Sequence, residues 1–332
     1  MQKKTVAFSK ESSNLFFHIL TRCNLSCAHC YINPDQHGRN TLSIDTIRHW
    51  LDLFSNNAPH TNLIFLGGEP TLHKDLSTAV KHARNRNFNS ITIDTNGFLF
   101  HNILEKITPA DVDVISFSLD GATSATNDAI RGQGSYDAVI SGVHQARQKG
   151  FDCAMIYTVS DKNLHELSKM PDLVASLDIQ RFFIQVIGMR GKSVTGGTHQ
   201  VSRDLWLSVI PNVAETIAAT GITVTYPKVF LEQGEAFFCA GIVADNYFVF
   251  PNGRVYRCPL CEDYPLHAYT IENNTLVPSP PVNETHLFDL TIPEGCVINK
   301  IIQPGNLDYL PDGTPAHRIA CCMLKQEISR SV

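Results

Sequence analysis

Short apolar runs recur along the first part of the chain, over 15–20, 62–66, 90–94, 112–119, 153–159 and 181–187. Isoleucine, phenylalanine and valine dominate them, the composition of strands covered on both faces. Between these runs the apolar positions take a helical spacing, over 43–56, 74–87, 100–107, 135–149 and 163–176. Ser43 stands where an N-cap belongs, ahead of Ile44-Asp45-Thr46, and Gly150 stands where a helix C-terminal glycine belongs. Strand alternating with helix predicts a parallel sheet with right-handed crossovers. Six such units in about 190 residues predict an α/β fold, a partial (β/α)6 TIM-like barrel rather than a complete eightfold one. In such sheets the chemistry gathers at the C-terminal strand ends.

After residue 187 the pattern changes. Residues 188–199 read as a Gly/Ser/Thr-rich loop and 201–220 as one more helix. From about residue 237 the chain is irregular, with a Pro-rich loop over 277–281 and turn signals such as Pro251-Asn252-Gly253. The expected organisation is a barrel core over 1–200, a connecting helix and strand over 201–236, and a small, irregular, cysteine-rich C-terminal domain over 237–332. That last segment lacks a long amphipathic pattern and calls for a staple.

Composition narrows the class. The 332 residues are 43% hydrophobic and 18% charged, enough for a sizeable core and unlike a disordered segment. Lys+Arg 27 against Asp+Glu 32 leaves a net charge of −5, so no basic surface advertises nucleic acid. No apolar stretch has membrane-spanning length. Met1-Gln2-Lys3-Lys4-Thr5 leads into a polar stretch with Lys10 and Glu11, without a signal-peptide core. A soluble cytoplasmic protein without a membrane partner is expected.

The ten cysteines are the anomaly. Cys153 lies alone on an apolar run, as a small core residue would. The others fall into one group at Cys23, Cys27 and Cys30 and a second at Cys239, Cys258, Cys261, Cys296, Cys321 and Cys322. In a reducing compartment such tight spacings point to metal or redox chemistry. Cys23, Cys27 and Cys30 form a C-x3-C-x2-C run after the first strand, ended by Tyr31. Three thiolates on one loop can hold three irons of a [4Fe–4S] cluster and leave the fourth open. A structural zinc site usually takes four protein ligands, which suits a local trio less well. His29, between Cys27 and Cys30, is expected to point outward.

This run resembles the cluster motif of the radical S-adenosylmethionine (SAM) superfamily. Gly67-Gly68-Glu69-Pro70, after the second strand, resembles the family's GGEP motif. Thr95-Asn96-Gly97 follows the third strand, and Ser118-Leu119-Asp120-Gly121 with Asn127-Asp128 and Arg131 follows the fourth. The resemblance implies that Cys23, Cys27 and Cys30 hold a [4Fe–4S] cluster whose open iron takes the amino and carboxylate groups of SAM. The Gly67-Gly68 carbonyls and Glu69 suit the SAM ammonium, and the forked guanidinium of Arg131 suits its carboxylate. Asn96, Ser118 and Asp120 are expected near the ribose and Tyr31 at the adenine. Gln185, at the end of the sixth strand, either contacts the cofactor or simply closes the strand.

Cys239 and Cys258 flank Gly253 in a C-x13-G-x4-C spacing that resembles the start of the auxiliary-cluster domain called SPASM, or its shorter twitch version. Between them residues 247–256 read as a hairpin turning at Asn252-Gly253, which brings the two cysteines together. Cys261 adds a C-x2-C pair, and Cys296, Cys321 and Cys322 compete for the remaining place. The full later SPASM cysteine run is absent, which implies one auxiliary [4Fe–4S] cluster, with zinc as the competing metal. A cysteine left over, Cys322 or Cys296, would match the hydrogen-atom donor of radical epimerases. The resemblance implies reductive cleavage of SAM to a 5′-deoxyadenosyl radical that abstracts a hydrogen atom, with electrons from a reductase such as flavodoxin or ferredoxin. It favours a peptide or protein side chain as substrate, for a maturase-like oxidation, cross-linking or epimerisation. Two alternatives stay open, a small molecule (sugar, nucleotide or cofactor precursor) and a non-catalytic iron–sulfur or zinc protein.

Overall fold

In the computed structural model, which describes residues 1–6, 8 and 11–329, the central strands alternate buried and half-buried positions. Lys10 lies outside the described residues. In chain order the strands are β1 (Gln2–Val6), β2 (Ser13–His18), β3 (Thr61–Leu66), β4 (Ser90–Thr95), β5 (Val114–Ser118), β6 (Cys153–Val159), β7 (Arg181–Val186), β8 (Thr223–Pro227), β9 (Phe230–Leu231), β10 (Asp245–Val249), β11 (Arg254–Tyr256), β12 (Tyr269–Glu272), β13 (Thr275–Pro278), β14 (Arg318–Ile319) and β15 (Lys325–Ser329). On β4, Ile91 and Ile93 are fully covered, whereas Ser90, Thr92 and Asp94 line a central cavity. The strands are therefore covered on one face by helices and face a lumen of mixed polar and apolar lining on the other. This corrects the expectation of strands covered on both faces.

Strands β2 to β8 run parallel in sequential order, the arrangement of a partial barrel. The sheet continues past both ends of this set. Beyond β8 come β15 and then β1, both antiparallel. Beyond β2 comes β10, in parallel register from Asp245 against Ser13 to Val249 against Phe17, and then antiparallel β11, β12 and β13. The 247–256 hairpin forms as expected: Gly253 takes φ +86° and its N–H donates to the Phe250 carbonyl at 2.9 Å. Its parallel seat on β2 carries the cysteine-rich segment onto the barrel edge.

Helices cover the outer face. Ile44–Phe54 starts at Ser43, whose Oγ accepts from Thr46 N at 3.1 Å, and buries Ile47, Trp50, Leu51 and Phe54. Ser135–Gln148 and Arg203–Ala219 match their apolar patterns. Two expected helices are broken. Leu99, His101 and Asn102 take positive φ, so only Ile103–Lys106 is α-helical in the 100–107 region. In the 163–176 region Leu164–Lys169 is a 3₁₀ turn and the α-helix starts at Met170, with Pro171 in its first turn. A helix without an expected counterpart, Ser124–Arg131, is capped by Thr123 and ends on Arg131. Among the described residues no helix is long and apolar enough to cross a membrane.

Buried side chains form two clusters. The larger lies between barrel and helices and contains Cys153. The smaller packs Phe248, Phe250, Tyr256, Phe288 and Ile319 around Cys261 and Cys296, with Cys239, Cys258 and Cys322 against it. Thiols thus occupy the place of a conventional apolar centre in the C-terminal segment.

Candidate active site

The inner faces of the strands enclose a cavity of about 990 Å³. Cys23, Cys27 and Cys30 line it together with Tyr31, Gly67, Gly68, Glu69, Asn96, Ser118, Arg131 and Gln185. The three thiols are part-exposed toward this space. Leu25 N lies 3.4 Å and Asn96 Nδ2 3.7 Å from Cys23 Sγ, while Cys27 Sγ lies 3.6 Å from the Arg131 carbonyl. Burial pushes the Cys23 thiol up to about 11 and raises Cys27 as well. Such a pocket holds three thiolates only with compensating positive charge, as a metal cluster provides.

His29 departs from expectation. Its Nε2 lies 3.2 Å from Asp120 Oδ2, so the ring turns inward and lines the same cavity as the three thiols. Asp120 is fully buried and is not among the residues facing the cavity. Its carboxylate binds Arg131 Nε at 2.6 Å and accepts from Thr158 N at 2.7 Å. Asp120 was expected near a ribose; instead it orients Arg131 from behind. Burial alone would raise its pKa, but the charges of Arg131 and His29 hold it down at about 2.

The paired glycines, which line the cavity, also have a packing reason. A Cβ on Gly67 would meet the Leu20 carbonyl oxygen at 2.6 Å, and one on Gly68 the Arg22 carbonyl oxygen at 2.4 Å. Gly68 N and Glu69 N donate to Leu20 O and Arg22 O at 3.1 and 3.0 Å. The glycines therefore let the 67–69 segment lie against the backbone that leads into Cys23. Glu69, almost wholly buried, ties the next loop to it. Its carboxylate accepts from Thr71 N at 3.0 Å, Thr95 Oγ1 at 2.9 Å and Asn96 N at 2.7 Å. Asn96 then reaches Asn24 Oδ1 at 2.8 Å, closing a chain of contacts around the cysteine loop. Gln185 sits 3.5 Å from Thr158 Oγ1 at the cavity wall.

Tyr31 is held by residues that the motifs did not reveal. Its hydroxyl lies 2.7 Å from His18 Nε2, and the Arg190 guanidinium stacks over its ring at 4.7 Å. Arg190 pairs with Glu262, one residue after Cys261. Lys192 N donates to Cys30 O at 2.9 Å, and Gly191 packs on that carbonyl. The 188–199 loop thus joins the first cysteine group to the second. Its glycine-rich composition was the visible signal; the arginine's role was not.

The second group converges. Cys239 lies within electrostatic reach of Cys321, Cys258 and Cys296, and Cys322 of Cys321, Cys258 and Cys296. The Cys258 and Cys261 thiols are close enough to perturb each other. Ligand atoms of Cys258, Cys261 and Glu284 fall within 4.8 Å of one another. Glu284, which sequence reasoning missed, accepts from Cys258 N at 3.0 Å, and burial lifts its pKa to about 8. The thiolate-rich donor set fits either a cluster or zinc. Of the six cysteines only Cys322 also faces the central cavity.

Residues 17–174 match the model of the radical SAM superfamily, so this stretch is a radical SAM domain. Fe-coproporphyrin III synthase of Methanosarcina barkeri is 31% identical over 205 residues, 60% of this chain and 49% of that protein. Mycofactocin maturase MftC of Mycobacterium ulcerans is 25% identical over 279 residues, 79% of this chain and 71% of that protein. The chain spans about half the length of the first curated relatives it matches, at 49%, 44% and 50%. Among solved structures, Streptococcus suis SuiB bound to S-adenosylmethionine superposes with a TM-score of 0.62 at 14% identity, covering 90% of this chain and 67% of that one. SuiB has also been solved with the precursor peptide SuiA.

Proposed function

We propose that the chain is a radical SAM enzyme that abstracts a hydrogen atom from a peptide or protein side chain. The radical SAM domain implies a [4Fe–4S] cluster and SAM. The observation that carries the reading is the trio Cys23, Cys27 and Cys30 on one cavity wall, a local set of three thiols that leaves one iron of a cluster free. When bound, the cluster and SAM supply a reductively generated 5′-deoxyadenosyl radical. The chain's own part is to bind and orient: Arg131 for the SAM carboxylate, the 67–69 segment for its ammonium, Asn96 and Ser118 for the ribose, Tyr31 for the adenine and Gln185 at the wall. Asp120 acts through Arg131.

In this reading residues 237–332 carry one auxiliary [4Fe–4S] cluster on Cys239, Cys258, Cys261 and a fourth thiol, in a SPASM- or twitch-like segment. Flavodoxin or ferredoxin supplies electrons. The peptide reading is supported by the reach of the match to a maturase, which runs over 79% of this chain. A tetrapyrrole or other small molecule is the second reading, favoured by the 31% identity to Fe-coproporphyrin III synthase. Anaerobic reconstitution followed by iron and sulfide counts and a dithionite assay for 5′-deoxyadenosine tests the proposal. Two clusters with cleavage of SAM support it. Zinc alone without cleavage sinks it in favour of a scaffold.

A further inference from the structure

Lys325, the first residue of β15, faces the central cavity. Its Nζ lies 4.5 Å from the centroid of the Phe183 ring on β7. Among the described residues it has no ion-pair partner within 4.0 Å. Asp94 on β4 attracts it only from beyond that distance, and Cys322 and Glu327 are the other titratable groups in reach. Asp94 lies two residues, one inward-facing layer, below Asn96, and its carboxyl hydrogen-bonds Ser116. Burial lowers the Lys325 pKa against the attraction of Asp94, Cys322 and Glu327, and the half-buried ammonium faces the cavity without a carboxylate at ion-pair distance. Enclosing an unpaired cation costs free energy, and a ligand that brings the missing anion offsets that cost.

We propose that Lys325 binds a carboxylate of the substrate, with Asp94 and Ser116 as the opposite wall of the subsite. This deepens the reading of the cavity as the substrate chamber and rests on it. One ammonium matches one negative charge. A phosphate would bring a charge of about −1.5 to −2 and leave the excess beside the Asp94 carboxyl. The Phe183 ring offers an apolar face to the carbon stem that carries the carboxylate. A substrate anchored there lies in the same chamber as Asn96, Arg131 and the three thiols, so its neighbouring carbons are presented to the cofactor wall.

The test uses the reconstituted full chain under anaerobic conditions. Formaldehyde with a borane reductant methylates accessible lysines, and mass spectrometry of the digested protein reads the rate at Lys325, with exposed Lys3 as the internal reference. Succinate is the carboxylate probe and inorganic phosphate the control at equal ionic strength. The expected result is a several-fold slowing at Lys325 with succinate, none with phosphate, and no change at Lys3. Indifference to succinate, or protection by phosphate alone, overturns the assignment. Paramagnetic resonance of the reduced cluster with and without SAM, on the same samples, separates the two readings. A missing SAM response counts against the cofactor site, whereas a normal response beside an unprotected Lys325 counts against the subsite alone.

Discussion

Arg131 Nε lies 2.6 Å from Asp120 Oδ2, and the carboxylate is wholly shielded from solvent. Breaking a buried pair by removing one charge leaves the other uncompensated, at about 3–5 kcal/mol. Asp120→Asn is therefore expected to destabilise the fold by about that amount in anaerobic urea unfolding and to weaken SAM binding, because Arg131 loses its orientation. The folded-state pKa of about 2 is depressed below the ordinary carboxylate value. The pair's stabilisation is thus whole at neutral pH and is lost only on acidification from about pH 4 towards 2. An unchanged unfolding midpoint in the variant would falsify the role assigned to the pair.

Gly68→Ala separates a packing role from a ligand-binding role. A Cβ there meets backbone atoms of Thr21 and Arg22 at 2.6 and 2.4 Å, and backbone has no rotamer by which to yield. The expected cost is about 1–3 kcal/mol, with a lower iron count because the segment entering Cys23 is displaced. Gly305→Ala, whose Cβ meets nothing within 4 Å, is the control and should stay within about 0.5 kcal/mol. Equal iron content in both variants would argue that the 67–69 segment does not set the cysteine loop.

Much of this site was legible because its motifs sit at strand ends: Gly67 and Asn96 directly follow β3 and β4, and Ser118 closes β5. The cysteine spacing carried its chemistry openly. What could not be read was which groups meet across the chain. His29 and Asp120 are far apart in sequence, and a histidine between two cysteines gives no sign of its partner. Asp94 and Lys325 look like the polar positions of ordinary alternating strands, until the curvature of the sheet turns those positions into a lumen. The parallel seat of β10 on β2 was hidden for the same reason: a hairpin fixes its own register, not its neighbour.

Asp94 gives a pH-dependent prediction. Burial, with the charge of Glu69, lifts its pKa to about 7 against the hydrogen bond from Ser116 and the attraction of Lys325. Below about pH 4 the folded and unfolded chains both carry the neutral acid, and its contribution to stability is whole. Between there and pH 7 the unfolded chain ionises while the folded one keeps its proton, so stability falls; above pH 7 the profile levels. Asp94→Asn removes this titration. The variant should gain on the parent, by on the order of 2 kcal/mol, as the pH of anaerobic unfolding is raised from about 5 to about 8. Parallel stability profiles for the two proteins would sink the assignment.

The place of the fourth ligand in the C-terminal group can be tested between Cys321 and Cys322. Cys321 and Cys322 are neighbours in sequence, and Cys321 acts electrostatically on both Cys239 and Cys296 of the same group. Cys322 instead faces the central cavity. Cys321→Ser is therefore expected to lower the iron count by the content of one cluster while the SAM-responsive paramagnetic signal of the N-terminal cluster persists. Cys322→Ser should keep both clusters. Loss of auxiliary iron from the Cys322 variant, with the Cys321 variant fully loaded, would reverse the two assignments and place the metal at the cavity wall.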